Sequence, residues 1–264
     1  MLAAAGACSA AGVIGPTGAA TIIARSVAAN QRDWQAAPHF TYFERDRTPS
    51  GTVTYRVSMI LGSPYRQLVE SNGRPLSAAD QAAEQRKLEE AVQQRQGESP
   101  AQRAERLTGY KEDRRRDHLM LQQLTVAFNF KLLGRQMLGQ RDVWVLQATP
   151  RSGYTPPNRD SRVLTGMRGK LWIDTQTYQW VKVEARVVQP VWIEGFFARV
   201  QPGTRFELDY APVTTNIWLP THFLMRSRAK VLFLFTRRDQ DDESYFGYQR
   251  SPGLPSPIAP AGLR

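Results

Sequence analysis

From Phe40 to Tyr248 apolar side chains recur at every second position, segment after segment, and almost every segment ends at a turn signal. Period two puts successive side chains on opposite faces of a strand, so most of the chain is committed to β-structure with one buried face. Residues 40–44 and 52–59 alternate around Thr48-Pro49-Ser50-Gly51 and read as an antiparallel hairpin. A third strand, 65–70, follows Gly62-Ser63-Pro64 and ends at the turn dipeptide Asn72-Gly73. Alternation resumes at 130–137 and 143–148 around Gly139-Gln140-Arg141-Asp142, then at 169–174 and 180–188 around a turn at 175–178. Shorter stretches at 199–200, 204–210, 217–226, 229–235 and 244–248 complete the meander. A meander of that many strands must curl to bury its face. The expectation is a mainly β (α+β) chain: a curled antiparallel sheet forming an incomplete β-barrel, with an N-terminal helix and an inserted helical hairpin.

Two regions break the alternation. Ile22, Ile23, Val27 and Trp34 fall at helical spacing before Pro38, which predicts an amphipathic helix over 21–34. The stretch 77–129 is rich in Ala, Gln, Glu and Arg. Ser77 starts its first helix, and Ser99-Pro100 supplies a cap and a first-turn proline for its second. Leu119, Met120, Leu121, Leu124, Val126 and Phe128 make the last turns apolar enough to pack on a sheet. The charged run 111–117 reads as a solvated, salt-bridged face, with a basic docking face as the alternative. Residues 150–160 read as an exposed loop from their Pro and Gly content.

The ends differ from this domain, which spans 21–250. Residues 1–20 are small and apolar, with no charged side chain before Arg25, and resemble the end of a secretory signal without its basic start. Cys8 follows Ala5-Gly6-Ala7, like a lipoprotein box lacking its usual leucine. Residues 251–264 are proline-rich and read as a flexible tail.

Charge and composition narrow the function classes. Thirty-five Lys and Arg against 24 Asp and Glu give a net +11, which points to an anionic partner such as nucleic acid, lipid headgroups or lipopolysaccharide. Acidic and basic residues cancel over 80–117, so the excess lies along the strands, with no Lys/Arg cluster and no helix-turn-helix or RNA-binding signature. Nucleic acid is therefore not expected. No apolar run is long enough for a membrane-spanning helix. The single cysteine excludes an internal disulfide and a cysteine-based zinc site. His39, His118 and His222 lie far apart, without ligand spacing, so neither metal nor cofactor is expected. Nucleophile-elbow, phosphate-loop and dinucleotide motifs are missing. Glu184, Glu207 and Asp209 sit on alternating strands and offer paired carboxylates for glycoside chemistry, but read better as salt-bridge partners of Lys182, Arg186 or Arg205.

One hairpin carries a resemblance. Gly169-Lys170-Leu171-Trp172-Ile173-Asp174, its turn, and Val181-Lys182-Val183-Glu184 resemble the "G-x-L-W-I-D, turn, K-x-E" hairpin of bacterial outer-membrane lipoprotein-sorting proteins of the LolA/LolB type. The strands at Pro202-Gly203-Thr204 and Trp218-Leu219-Pro220 are similar to that superfamily's C-terminal half, so the resemblance covers 147–248. The long insert at 77–129 departs from it. The resemblance implies an incomplete barrel whose apolar inner face, lidded by helices, holds acyl chains, and relatives that sense peptides or lipids with the same half-barrel.

Independently of that, Val191-Trp192-Ile193 with Gly195-Phe196-Phe197, and the run 231–235, are apolar at consecutive positions and so greasy on both strand faces. Either the helices shield the second face, or these residues line or rim a cavity or touch a membrane. The candidate ligand-binding set is Trp172, Trp192, Phe196, Phe197, Phe233 and Phe235, with Arg186, Arg205 and Arg226 as headgroup candidates. The expected function is that of an exported, non-enzymatic binding protein of the periplasm or outer membrane. It would carry or sense a lipid, a lipoprotein acyl chain or an amphipathic ligand, with lipidated or envelope proteins and a peripheral membrane contact as partners. The alternative is a structural or signalling module with a filled barrel that docks a protein through the helical insert.

Overall fold

The alternating segments pair into one antiparallel sheet in the computed structural model, which describes residues 18–192, 198–231 and 235–251. Helix α1 (Ala19–Ala36) and a 3-10 turn (Ala37–His39) lead into β1 (Phe40–Thr48), β2 (Gly51–Ile60), β3 (Ser63–Ser71) and the short β4 (Arg74–Pro75). Helices α2 (Ala78–Gln96) and α3 (Pro100–Ala127) follow, then β5 (Phe128–Leu138) and β6 (Arg141–Pro150). A second 3-10 helix (Asp160–Gly166) precedes β7 (Met167–Asp174) and β8 (Trp180–Val187). The chain ends with β9 (Val191–Trp192), β10 (Ala198–Val200), β11 (Arg205–Pro212), β12 (Trp218–Val231) and β13 (Phe235–Arg250). The sheet order is β4-β3-β2-β1-β13-β12-β11-β8-β7-β6-β5, with β9 and β10 branching from the far end of β12. It does not close into a barrel.

Because β1 pairs with β13, the first and last strands are joined and the open edges are β4 and β5. The chain crosses between those edges through α2 and α3. At 1.5 Å per residue the 28 residues of α3 extend about 42 Å, enough to brace one flank of the sheet against the other. Its start carries a capping box, Ser99 with Gln102, and a first-turn Pro100; its end runs straight into β5. Arginines hold the helices to the β2–β3 corner. Arg95 donates to the Ile60, Ser63 and Pro64 carbonyls, and Arg106 to the Leu61 carbonyl and Ser63 Oγ while paired with Glu98. That anchoring replaces apolar packing for α2, which buries no residue.

The main core lies between β5–β8 on one side and α1, the end of α3 and the second 3-10 helix on the other. Ile22 and Ile23 of α1 and Ala127 of α3 meet Trp144, Leu146 and Ala148 of β6, Leu171 and Ile173 of β7, and Val187 of β8. The intervening residues of β6, Val143 and Val145, pack on the other face against Trp172, so this strand is buried on both sides. Gly169 allows β7 and β8 to approach closely, since a Cβ there would stand 2.6 Å from the Glu184 carbonyl oxygen. Asp174 closes the β7–β8 turn, its Oδ1 accepting from the Gln176 and Thr177 amides and the Thr177 hydroxyl. The glycine and the aspartate of the G-x-L-W-I-D segment are thus both explained by local geometry.

Several elements differ from the sequence expectation. Residues 217–226 and 229–235 were expected as two strands; instead 218–231 is the single strand β12. The last strand was expected over 244–248, but β13 spans sixteen residues. Its polar run 236–244 has no apolar alternation to mark a strand, and it is held by ladder bonding to β12 on one side and, beyond residue 241, to β1 on the other. Phe128 opens β5 rather than closing α3, and the 150–160 loop leads into a 3-10 helix that buries Val163 and Leu164. The signal-like segment through residue 17, Cys8 included, and the tail from 252 lie outside the described residues.

Asp33 pins α1 to the sheet. Its carboxylate accepts from Gln179 Nε2 at 3.0 and 3.1 Å and from the Trp218 amide at 3.0 Å, while Gln179 also donates to the Asn216 carbonyl. Burial pushes the Asp33 carboxyl up to about 7, against the lowering pull of the Trp218 and Gln179 hydrogen bonds. A folded-state pKa above the unfolded value of 3.8 means that stability is greatest below that value and is lost as pH rises through about 7. In Asp33→Asn, one amide must set a donor against donors, which should cost about 1–3 kcal/mol. Urea unfolding at about pH 5 and about pH 8 should show that loss, and a shallower fall in stability between the two pH values than in the parent.

Candidate functional site

Strand alternation divides the sheet into two chemically distinct faces. The inner face, on the helix side, includes Phe206 and Tyr210 of β11, which pack against the main core. By register Leu208, Phe223 and Met225 share it. These three are only half-buried or just within the interior, and neither α2 nor α3 packs extensively on β11, β13 or β1. The helices meet the sheet mainly at its flanks, at β3 and β5, with α1 reaching the start of β12. An apolar strip on the middle of the concave face is thus left partly uncovered.

Beside the strip the inner face becomes aromatic and then charged. Tyr42, Tyr245 and Tyr248 cluster, with ring centroids 6.0 Å apart for Tyr42–Tyr245 and 5.2 Å for Tyr42–Tyr248. Burial raises the pKa of all three phenols above the ordinary tyrosine value. Tyr245 donates to Glu243, and Tyr248 donates to the Pro220 carbonyl at 2.7 Å. Next to them, Arg66 reaches from β3 to Glu44 and Asp46 of β1 and lies 4.2 Å from the Tyr55 ring centroid. Two carboxylates, Glu44 and Asp46, therefore share one arginine, and Glu243 stands opposite Asp46 across the β1–β13 ladder. Burial pushes Glu44 up to about 7, with Arg66 pulling it down and Asp46 and Glu243 pushing it further up. Asp46 Oδ1 is buried without a hydrogen-bond partner among the described residues. An apolar strip, a tyrosine wall and an acidic end are suited to an amphipathic molecule with a cationic or hydrogen-bond-donating head.

The outer face is different. A groove of about 560 Å³ opens there, lined by Gln147, Arg168, Gly169, Lys170, Glu184, Ala185, Arg186, Arg205, Phe206 and Glu207. Farther along the same face His222 lies between Asp242, at 3.0 Å from Nε2, and Asp209, at 3.6 Å from Nδ1. Among the described residues no cluster of His, Cys, Asp and Glu has metal-binding geometry.

The residues singled out from sequence fall in separate places. Arg186, Arg205 and Arg226 come together, since Arg205 is the direct cross-strand partner of both others. Arg168, which the sequence reading passed over, extends their row by pairing with Arg186. Trp172 is buried on the outer face with Val143 and Val145, with Lys182 6.0 Å from its ring centroid. Trp192 is half-buried on β9, opposite Arg199. Phe196, Phe197 and Phe233 lie outside the described residues, and Phe235 starts β13 opposite Val231. Of the ion pairs expected for Glu184, Lys182–Glu184 forms at 2.8 Å, whereas Arg186 and Arg205 point no charge at a carboxylate within bridging distance. Missed on the inner face were Glu44, Asp46, Arg66 and Glu243, whose alternation reads from sequence as a wet strand face.

The Arg66 side chain is 46% exposed and Glu44 only 14%, so the pair is worth less than a fully buried one but more than a surface one. Arg66→Met should destabilise by about 1–2 kcal/mol at neutral pH. Without the guanidinium Glu44 rises above 7, and the stability present below its unfolded value of 4.5 is lost over a wider range, continuing past neutrality. Thermal unfolding across pH should show the variant's deficit growing from acid to alkaline solution.

No protein-family model matches the chain, and no curated protein sequence matches it. Among solved structures it is similar to a putative outer membrane lipoprotein-sorting protein domain from Vibrio parahaemolyticus, at 10% identity over 88% of this chain and 95% of that one, with a TM-score of 0.32. It is similar to a LolA superfamily protein from Nitrosomonas europaea at 12% identity over 90% and 95%, with a TM-score of 0.33. The MucA/MucB complex of Pseudomonas aeruginosa matches at 12% identity over 83% and 92%, with a TM-score of 0.23.

Proposed function

We propose that the chain is an exported, non-enzymatic binding protein that holds an amphipathic, acyl-bearing ligand on the concave face of its open sheet. The observation that carries this reading is the uncovered strip of Leu208, Phe223 and Met225, continuous with the core side chains Phe206 and Tyr210 and ending at the Glu44–Asp46–Arg66–Glu243 cluster. Burial of an acyl chain is worth about 0.8 kcal/mol per methylene, so a chain of ordinary length gains ample affinity from the strip alone. The tyrosines and carboxylates would then receive the polar end. A lipid or the acyl group of a lipoprotein fits this chemistry, and the periplasm or outer membrane is where such cargo is handled.

A second reading remains attached to one observation: α2 buries no side chain and offers a docking face for a protein. One comparison separates the two. Native mass spectrometry of protein purified from an envelope fraction, followed by organic extraction, should yield a stoichiometric lipid or acylated peptide. Delipidated protein should then bind a fluorescent acyl amine, whose cationic head suits the carboxylates, and Met225→Glu should weaken that binding by about tenfold or more, with an unchanged unfolding temperature. A clean ligand-free mass together with no binding of added acyl amine or lipopeptide would overturn the carrier reading and favour docking through α2.

A further inference from the structure

We infer that the outer face of the sheet docks on the surface of a bilayer containing anionic phospholipid, through a row of four arginines: Arg168, Arg186, Arg205 and Arg226. The row is a consequence of register. Arg168 stands opposite Arg186, Arg186 opposite Arg205, and Arg205 opposite Arg226, across the adjacent strands β7, β8, β11 and β12. Each flanking residue on the inner side, Met167, Ala185 and Phe206, packs into the main core, so the arginines point away from the helices. All four are exposed. None makes a side-chain hydrogen bond or ion pair among the described residues.

Like charges directly opposite one another on a sheet destabilise it, and here three successive cross-strand pairs are alike. The neighbouring carboxylates give little relief: Glu184 and Glu207 oppose each other in the next row, and Glu184 is engaged by Lys182 at 2.8 Å. Such a row is a stability cost that an external anion relieves. Its form indicates which anion. Three inter-strand spacings of about 4.8 Å make it about 14 Å long, too long for a single phosphate and suited to several headgroup phosphates presented side by side. A single nucleic-acid strand would need aromatic platforms, and among the described residues Phe206 packs into the core while Trp172 is buried beneath Lys182 rather than offered for stacking. Docking through the outer face is separate from capture on the inner one, and it requires no cargo.

Ligand-free protein co-sedimented with phosphatidylcholine vesicles containing about 30% phosphatidylglycerol should bind, and should bind weakly to phosphatidylcholine alone. Binding should fall steeply as salt rises and shortens the screening length. Arg186→Gln combined with Arg205→Gln should weaken binding to the anionic vesicles by about tenfold or more. Its unfolding temperature should be equal to or above that of the parent at low salt, because repulsion has been removed and no ion pair lost. Arg115→Gln combined with Arg116→Gln, on α3, removes the same charge elsewhere and should leave vesicle binding nearly intact. Equal loss in that control, or undiminished binding of the row variant, would overturn the inference. So would tighter binding of inorganic phosphate or single-stranded oligonucleotide than of anionic vesicles. Acyl-amine binding by the row variant should match the parent, so failure of outer-face docking and failure of the carrier reading are told apart.

Discussion

A curled sheet of eleven strands has two free edges, and what happens at those edges sets everything else in the structure. Pairing β1 with β13 removes the break between the first and last strands and moves it to the only place where the chain leaves the sheet for long, between β4 and β5. There α3 is fixed at both ends, by arginine hydrogen bonds to the β2–β3 corner and by direct continuation into β5. An open sheet held at a fixed gap keeps a concave face that a closed barrel of side chains would fill. Asp33 completes the brace from within, tying α1 to the starts of β8 and β12, and α1 in turn meets α3 where Trp34 stacks on His118 with ring centroids 4.3 Å apart.

The same period-two alternation that forms the sheet assigns chemistry to its faces. Because one residue step changes face, Phe206 can join the core while Arg205 and Glu207 stand outside. Over β6–β8 the inner face is closed by α1, α3 and the second 3-10 helix; among the described residues the helices make few contacts with the middle of β11, β12 and β1. A single strand such as β12 therefore carries an apolar strip inside, through Phe223 and Met225, and a basic end outside, through Arg226. Two surfaces of opposite character thus stand back to back about one sheet thickness apart without sharing a residue.

How far this was legible depends on whether a feature is local or relational. The meander, α1, the helical hairpin and the β7–β8 turn were legible, because caps, turn dipeptides and alternation are written in neighbouring residues. The extent of β13 was not, since its polar run earns strand status only by lying between two partners. Arg186, Arg205 and Arg226 were recognisable as strand-borne cations, yet their union with Arg168 follows from a register shift between Trp172 and Ile173 that no local signal marks. The acidic cluster was hidden for the converse reason. Glu44 and Asp46 alternate as an ordinary exposed face would, and only the pairing of β1 with β13 and, through β2, with β3 brings Glu243 and Arg66 to them.

Both unusual charge groupings lower stability, but they do so in different dielectric surroundings, and that difference separates their roles. The arginine row sits in water, where screening weakens repulsion within about a Debye length, so all four charges persist and remain available to a distant anionic surface. The Glu44 cluster is withdrawn from water, where an uncompensated charge is more expensive, so it answers by shifting its protonation toward neutral pH. On the docking proposed for the outer face, a permanent positive row would steer and hold the molecule at an anionic surface. On the capture proposed for the inner face, affinity for a cationic head would instead depend on whether Glu44 carries its proton, and would strengthen as pH rises through about 7. Attachment would then answer to salt and capture to pH, and the two would stay independent because the arginines and the Glu44 cluster stand on opposite faces of the sheet.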